Sequence, residues 1–282
     1  LLRPGDTVVI EEPSFRGAIE ILRTAGAQLV GVPSGDHGVA VDALEVAVRR
    51  HRPAFVLLQS TVNNPTGAVL PNQARTAVAR MSTDLGFTVV DDAATADVLV
   101  DGPMPRPLAA HGGRIVTIGS ASKGFWGGLR VGWLRADRST VDRLTVVKGA
   151  EDLGTSIPAQ LVTARLLGRA DEARAARRAA LGAARATVLD TLAAELPDWR
   201  PRVPAGGGSM WVELPEGWSA TAFAERAGRA GVDVLAGPTF SCHDALDEWL
   251  RIGYAVPFEV LHAGLVRLVS CWNALSGQAT GA

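Results

Sequence analysis

The chain is poor in lysine, cysteine, tyrosine and long apolar runs, and each shortage excludes something. Of its 28 basic residues only Lys123 and Lys148 are lysines. Two cysteines, Cys242 and Cys271, are too few to staple a secreted scaffold, so a reduced, cytoplasmic setting is expected. No apolar run reaches the roughly 20 residues that a membrane helix needs, and nothing resembles a signal peptide. The net charge of −1 supplies no global field for nucleic acid or an anionic membrane. The first residue is Leu1, and the opening thirteen residues read as a turn into a mid-domain strand. The expectation is that the N-terminal part of a longer fold lies upstream.

What is present is an alternating pattern. The 282 residues, 47% of them apolar, suffice for one large or two modest domains. A short β-branched run at 7–10 and strand-like, mainly apolar runs at 28–32, 54–59, 87–90 and 114–119 alternate with helical spacing at 16–25, 41–51 and 71–85. That rhythm predicts α/β layers around a mainly parallel sheet. Long arginine-rich helices follow over 156–196; Asp171 and Glu172 dilute their charge, so a solvated face is expected rather than a nucleic-acid helix. A smaller α+β unit follows, with strands at 210–214, 232–235 and 250–254 and helices at 220–230 and 258–275. The expected division is a large domain over 1–165 and a small C-terminal domain over 166–282 that includes the long linking helices.

In parallel sheets ligands bind beyond the carboxyl ends of strands. Three polar clusters fall there: Ser60–Gly67, Asp91-Asp92 and Ser120–Lys123. Lys123 follows Ser120 and Ser122 and precedes Gly127, Gly128 and Arg130. An amine is a nucleophile where a guanidinium is not, and serines, glycine amides and an arginine fork can bind phosphate. A lysine beside a phosphate cradle suits a Schiff base with pyridoxal phosphate. Asn64, in Asn63-Asn64-Pro65-Thr66-Gly67, is a turn residue or a donor to the cofactor's phenolic oxygen. Of Asp91 and Asp92, which point to opposite faces of a strand, one can pair with the pyridine nitrogen. Cys242, His243 and Asp244 lie together, but without a second ligand pair at metal spacing they read as loop residues, and no metal is expected.

Together these motifs resemble, in order, those of fold-type I pyridoxal-phosphate-dependent aminotransferases of class I and II. The stretch Ser122–Trp133, with Ala96–Gly102, resembles the aminotransferase-like domain of MocR-type regulators, which carry a winged-helix DNA-binding domain in front. The resemblance implies that Lys123 forms the Schiff base and moves the proton. It implies that Asn64 binds the phenolic oxygen, and its spacing favours Asp92 over Asp91 at the ring nitrogen. Ser120, Ser122 and Arg130 would bind the phosphate, and Phe15 would stack on the ring. Arg251, in Trp249-Leu-Arg-Ile-Gly-Tyr254, would grip the carboxylate of an amino acid or another amino ligand. A homodimer is implied, as is DNA contact only through a domain absent from this chain.

Two departures stand out. The family usually has a tyrosine shortly after the ring-nitrogen aspartate, whereas Asp92 is followed by Ala93, Ala94 and Thr95. Thr95 is the candidate substitute. The family's glycine-containing phosphate turn would fall upstream of Leu1. Three functions share this chemistry: an aminotransferase, a ligand sensor, and a non-transaminating enzyme such as a β-lyase.

Overall fold

The structure, a computed structural model, describes residues 2–279. Its first sheet has the strands β1 (Thr7–Glu12), β2 (Gln28–Gly35), β3 (Gly38–Val39), β4 (Phe55–Leu58), β5 (Val89–Asp92), β6 (Ile115–Ser120) and β7 (Gly132–Arg135). Their order is β3-β2-β1-β4-β5-β6-β7. The inner pairs are parallel, while β3 and β7 run antiparallel at the two edges. Val8, Val9 and Ile10 of β1 and Val56 and Leu58 of β4 are at most 1% exposed, so both faces of the central strands are covered.

Helices α2 (Val41–His51) and α3 (Asn72–Asp84) close one face, where Leu44, Val48 and Val78 meet Val9, Val56 and Val89. Helix α1 (Arg16–Thr24) closes the other with Ile19 and Leu22 against Val8, Ile10 and Leu57. Because β1, β4, β5 and β6 are parallel, their polar ends at Glu11, Gln59, Asp91 and Ser120 emerge on one edge.

The chain then runs through the short helix α4 (Ala121–Gly124), β7, α5 (Arg138–Asp152), α6 (Ile157–Leu167) and the long α7 (Ala170–Glu195). A second sheet, in the order β10-β11-β9-β8, is built from β8 (Arg200–Arg202), β9 (Ser209–Glu213), β10 (Leu235–Ala236) and β11 (Trp249–Gly253). Helices α8 (Ala220–Arg229) and α9 (Phe258–Ala279) cover it, with Trp199, Phe223 and Trp272 packed edge to face. No helix among the described residues is long and apolar enough to cross a membrane.

The sequence pattern leaves α5 and β7 unmarked, and the structure supplies the reason. Helix α5 has no buried residue and all four residues of β7 are exposed, so neither carries a core-facing stripe. The arginines of α7 form tethers as well as a solvated face. Arg174 pairs with Asp97 at 2.8 Å, Arg185 pairs with Asp101 at 2.6 Å, and Arg177 donates to the Phe125 carbonyl.

Beneath the strand ends lies a buried polar knot. Arg75 of α3 is fully buried and donates to the Leu70 carbonyl at 2.7 Å, Ser60 Oγ at 3.0 Å and Thr61 Oγ1 at 2.8 Å. Its charge faces Asp91, which accepts from the Ser60 N–H at 3.2 Å. Glu11 accepts from the Gln59 N–H and the Ser34 hydroxyl, and burial pushes its carboxyl up to about 7.

Arg75→Met strips the loop of these donors and leaves Asp91 without its cation. Urea denaturation should show a loss of about 3–5 kcal/mol, as for other broken buried pairs. The pH dependence of Glu11 has a definite sign. An acid whose folded pKa is raised withdraws stability as pH climbs from its unfolded value of 4.5 towards about 7. Glu11→Gln should therefore gain on the order of 3 kcal/mol relative to the native protein between about pH 4.5 and about pH 8. Urea denaturation at both values tests this, and an unchanged difference would contradict it.

Candidate active site

The end of β6 presents the lysine. Ser120 is extended and caps α4, its hydroxyl accepting from the Ser122 N–H at 3.1 Å. The cap turns the chain into one helical turn, which lifts Lys123 away from the sheet. Lys123 is exposed, and among the described residues its Nζ has no hydrogen-bond or ion-pair partner. It lines a cavity of about 260 Å³ together with Ser122, Asn64, Thr95, Arg177, Arg251 and the Gly206–Gly208 backbone. Among the described residues no aspartate or glutamate lines this cavity, which holds three cationic side chains.

Asn64 comes from the loop after β4. That loop turns at Gly67, whose φ is +70° and whose Cβ position would lie 2.2 Å from Cβ of Pro204. Only glycine fits both the left-handed backbone and the close approach. Arg251, on β11 of the second sheet, donates from Nε to Asn64 Oδ1 at 3.1 Å. The Asn64 amide is therefore oriented with its Nδ2 as the remaining donor. Burial pushes the Arg251 guanidinium below its ordinary pKa.

The two aspartates separate as strand alternation requires. Asp91 is turned into the knot with Ser60 and Arg75, 2% exposed. Asp92 is half-buried on the other side and accepts from the Ala94 N–H at 3.1 Å and from Gln59 Nε2 at 3.4 Å. Burial raises the pKa of both carboxyls.

The remaining candidates lie outside the cavity wall. Arg130 is exposed in a left-handed conformation, and Phe15 is 39% exposed with its ring folded over Gly17. Thr95 does line the cavity, but its hydroxyl donates to the Val62 carbonyl at 2.6 Å. Its one proton is committed, so Thr95 does not replace the tyrosine as a donor.

Cys242 and His243 sit beside Glu12, with potential ligand atoms within 4.8 Å of one another. Glu12 Oε1 already accepts from the Cys242 N–H at 2.9 Å and from the Ser241 hydroxyl. Burial and the Glu12 charge push the Cys242 thiol up to about 12. The arrangement is a loop anchor. Sequence reasoning passed over Arg177, Gln59 and Gly206–Gly208 at this site. The run of three glycines was the one visible signal.

A family model for aminotransferase class I and II matches residues 1–268. The chain is 33% identical over 262 residues to the 2-aminoadipate transaminase of Thermus thermophilus, covering 90% of this chain and 66% of that protein. It is 28% identical to the HTH-type transcriptional regulator YjiR of Escherichia coli, covering 90% of this chain and 55% of the regulator. Among solved structures, the α-aminoadipate aminotransferase LysN of Thermus thermophilus, complexed with N-(5'-phosphopyridoxyl)-L-leucine, superposes with a TM-score of 0.92. The match has 30% identity and covers 98% of this chain and 73% of that one. The motif order, the site at the strand ends and these likenesses agree: the chain belongs to the class I and II aminotransferases.

Proposed function

We propose that the protein is a pyridoxal-phosphate-dependent aminotransferase that moves an amino group between an amino acid and a 2-oxo acid. The observation that carries this reading is an unpartnered amine, Lys123, sharing one cavity with the Arg251-anchored Asn64. The donor set fits the cofactor: one free amine and one oriented amide line the cavity, and the Asp92 carboxylate stands at the end of the neighbouring strand. When bound, pyridoxal phosphate supplies the electron sink that makes the α-hydrogen of an amino acid labile.

The residues divide the work. Lys123 Nζ would hold the cofactor until the incoming substrate amine displaces it, and the freed amine would then take the proton from the α-carbon and return it. Asn64 Nδ2 would donate to the ring oxygen, alone in that task because the Thr95 hydroxyl is engaged. Asp92 would accept from the ring nitrogen. Ser120, Ser122 and Arg130 would supply phosphate donors, and Phe15 would supply an aromatic face. Arg251 takes the ligand carboxylate, which then competes with Asn64 Oδ1 for the guanidinium.

The two sheets support a cofactor-binding large unit over 1–165 and a small unit over 166–282. A second copy of the chain is the proposed partner. Exposed apolar side chains recur along one stretch of chain, from Trp126 and Trp133 through Val146 and Leu153 to Ile157 and Leu161, which suits burial against another surface. The two cysteines are free thiols, in keeping with a cytoplasmic setting. The second reading is a sensor of amino ligands that feeds a DNA-binding domain outside this chain. It rests on the 28% identity to the YjiR regulator.

The loaded protein should change its cofactor spectrum on mixing with an amino acid, and a 2-oxo acid should reverse the change. A change that no 2-oxo acid reverses would support the sensor instead. Borohydride reduction should fix the cofactor to Lys123, and Lys123→Ala should reduce labelling to background; labelling elsewhere would refute the assignment. Arg251→Ala should weaken carboxylate-bearing amino ligands by about tenfold to a hundredfold while cofactor content holds. Titration of the cofactor spectrum measures this, and equal affinity in both proteins would remove Arg251 from the site.

A further inference from the structure

Gln59 is the first residue after β4, 5% exposed, and both ends of its side-chain amide are engaged. Its Oε1 accepts from the Asn64 N–H at 3.0 Å. Its Nε2 donates to Asp92 Oδ2 at 3.4 Å. Its own backbone N–H is held by the buried Glu11 carboxyl. The orientation of the amide is therefore determined. Reversed, it would set an NH2 group against an N–H and an oxygen against a carboxylate.

We propose that Gln59 is a positioning residue for the cofactor ring, holding the Asn64 backbone with its oxygen and the Asp92 carboxylate with its nitrogen. This inference rests on the cofactor reading above. Asn64 and Asp92 come from different strand ends and are assigned to opposite tasks, one at the ring oxygen and one at the ring nitrogen. A single rigid amide sets their separation. At this reach leucine supplies neither acceptor nor donor, and glutamate supplies the acceptor alone when ionised. Because Gln59 acts through two residues, it has no need to touch the ligand, and it does not line the cavity.

Asp92 has one charged neighbour on its own strand, Asp91, whose charge is met by Arg75. Glu11 lies beyond Asp91. In Gln59→Glu the new carboxyl faces Asp92. Two carboxyls at that distance share a proton at low pH and repel once both ionise. Protonation of that variant therefore restores the missing donor, whereas nothing restores it in Gln59→Leu.

The experiment measures the dissociation constant of pyridoxal phosphate for the native protein and both variants, by absorbance titration between about pH 5 and about pH 9. Each value is taken as a ratio to native at the same pH, which cancels the cofactor's own titration. Gln59→Leu should bind about tenfold more weakly throughout. Gln59→Glu should match native at the acid end and fall about tenfold behind at the alkaline end. Native-like binding by both variants overturns the proposal. So does an equal, pH-independent loss in Gln59→Glu, which marks a merely structural role. If Gln59→Leu fails to fold, the two ends of the Gln59→Glu curve carry the test within one protein. A native protein that takes up no pyridoxal phosphate overturns the cofactor reading and this one together, and it does so before any variant is made.

Discussion

The burial of Arg75 beneath the strand ends is the constraint on which the site depends. A guanidinium taken wholly out of water must meet carbonyls, hydroxyls and a counter-charge, or the fold loses several kcal/mol. Arg75 meets them in the Ser60, Thr61 and Leu70 backbone and side chains and in Asp91. These partners lie at the two ends of the loop that carries Asn64. The loop is thus shaped from below by a cation, and its tip is free to serve a ligand. The Ser60 N–H and the Arg75 charge hold Asp91 inward, and alternation along β5 then turns Asp92 the other way.

A site of this kind is assembled from distant segments. Lys123, Asn64 and Asp92 emerge from three parallel strands, and Arg251 arrives from the second sheet. The parallel pairing of β4, β5 and β6 aligns the strand ends. The Gly67–Pro204 approach seats the first sheet's loop against the β8–β9 connection of the second sheet. Oriented groups held before a ligand arrives need little reorganisation during a reaction.

Much of this architecture was legible in the sequence, because buried strands and amphipathic helices write their periods directly. The strands near Val8, Val56 and Val89 and the helices over Val41–His51 and Ala220–Arg229 follow from such periods. Asp91 and Asp92 end β5, as the polar pair closing an apolar run leads one to expect. Helix α5 and strand β7 were illegible because they bury nothing in this chain. Lys123, Asn64 and Arg251 were legible because each stands in a motif with its own chemistry. Arg75, Gln59 and Arg177 were not. A buried arginine or glutamine looks like a surface residue until the partners that justify its burial are known. The Thr95 hydroxyl illustrates the same limit, since only a contact to Val62 reveals that its proton is taken.

Helix α7 has a mechanical consequence. Arg174 and Arg185 pin it to Asp97 and Asp101, and these two arginines stand roughly 16 Å apart along the axis. A rod fastened at two points cannot pivot at either. The same helix buries Leu181, Val188 and Leu192 in one core with Met210, Val212 and Leu250, so the two pins tie the second sheet to the segment that carries Asp97 and Asp101. Both pins are partly open to solvent. Dissolved ions therefore screen them, and the stiffness of this strut becomes a property that ionic strength can tune.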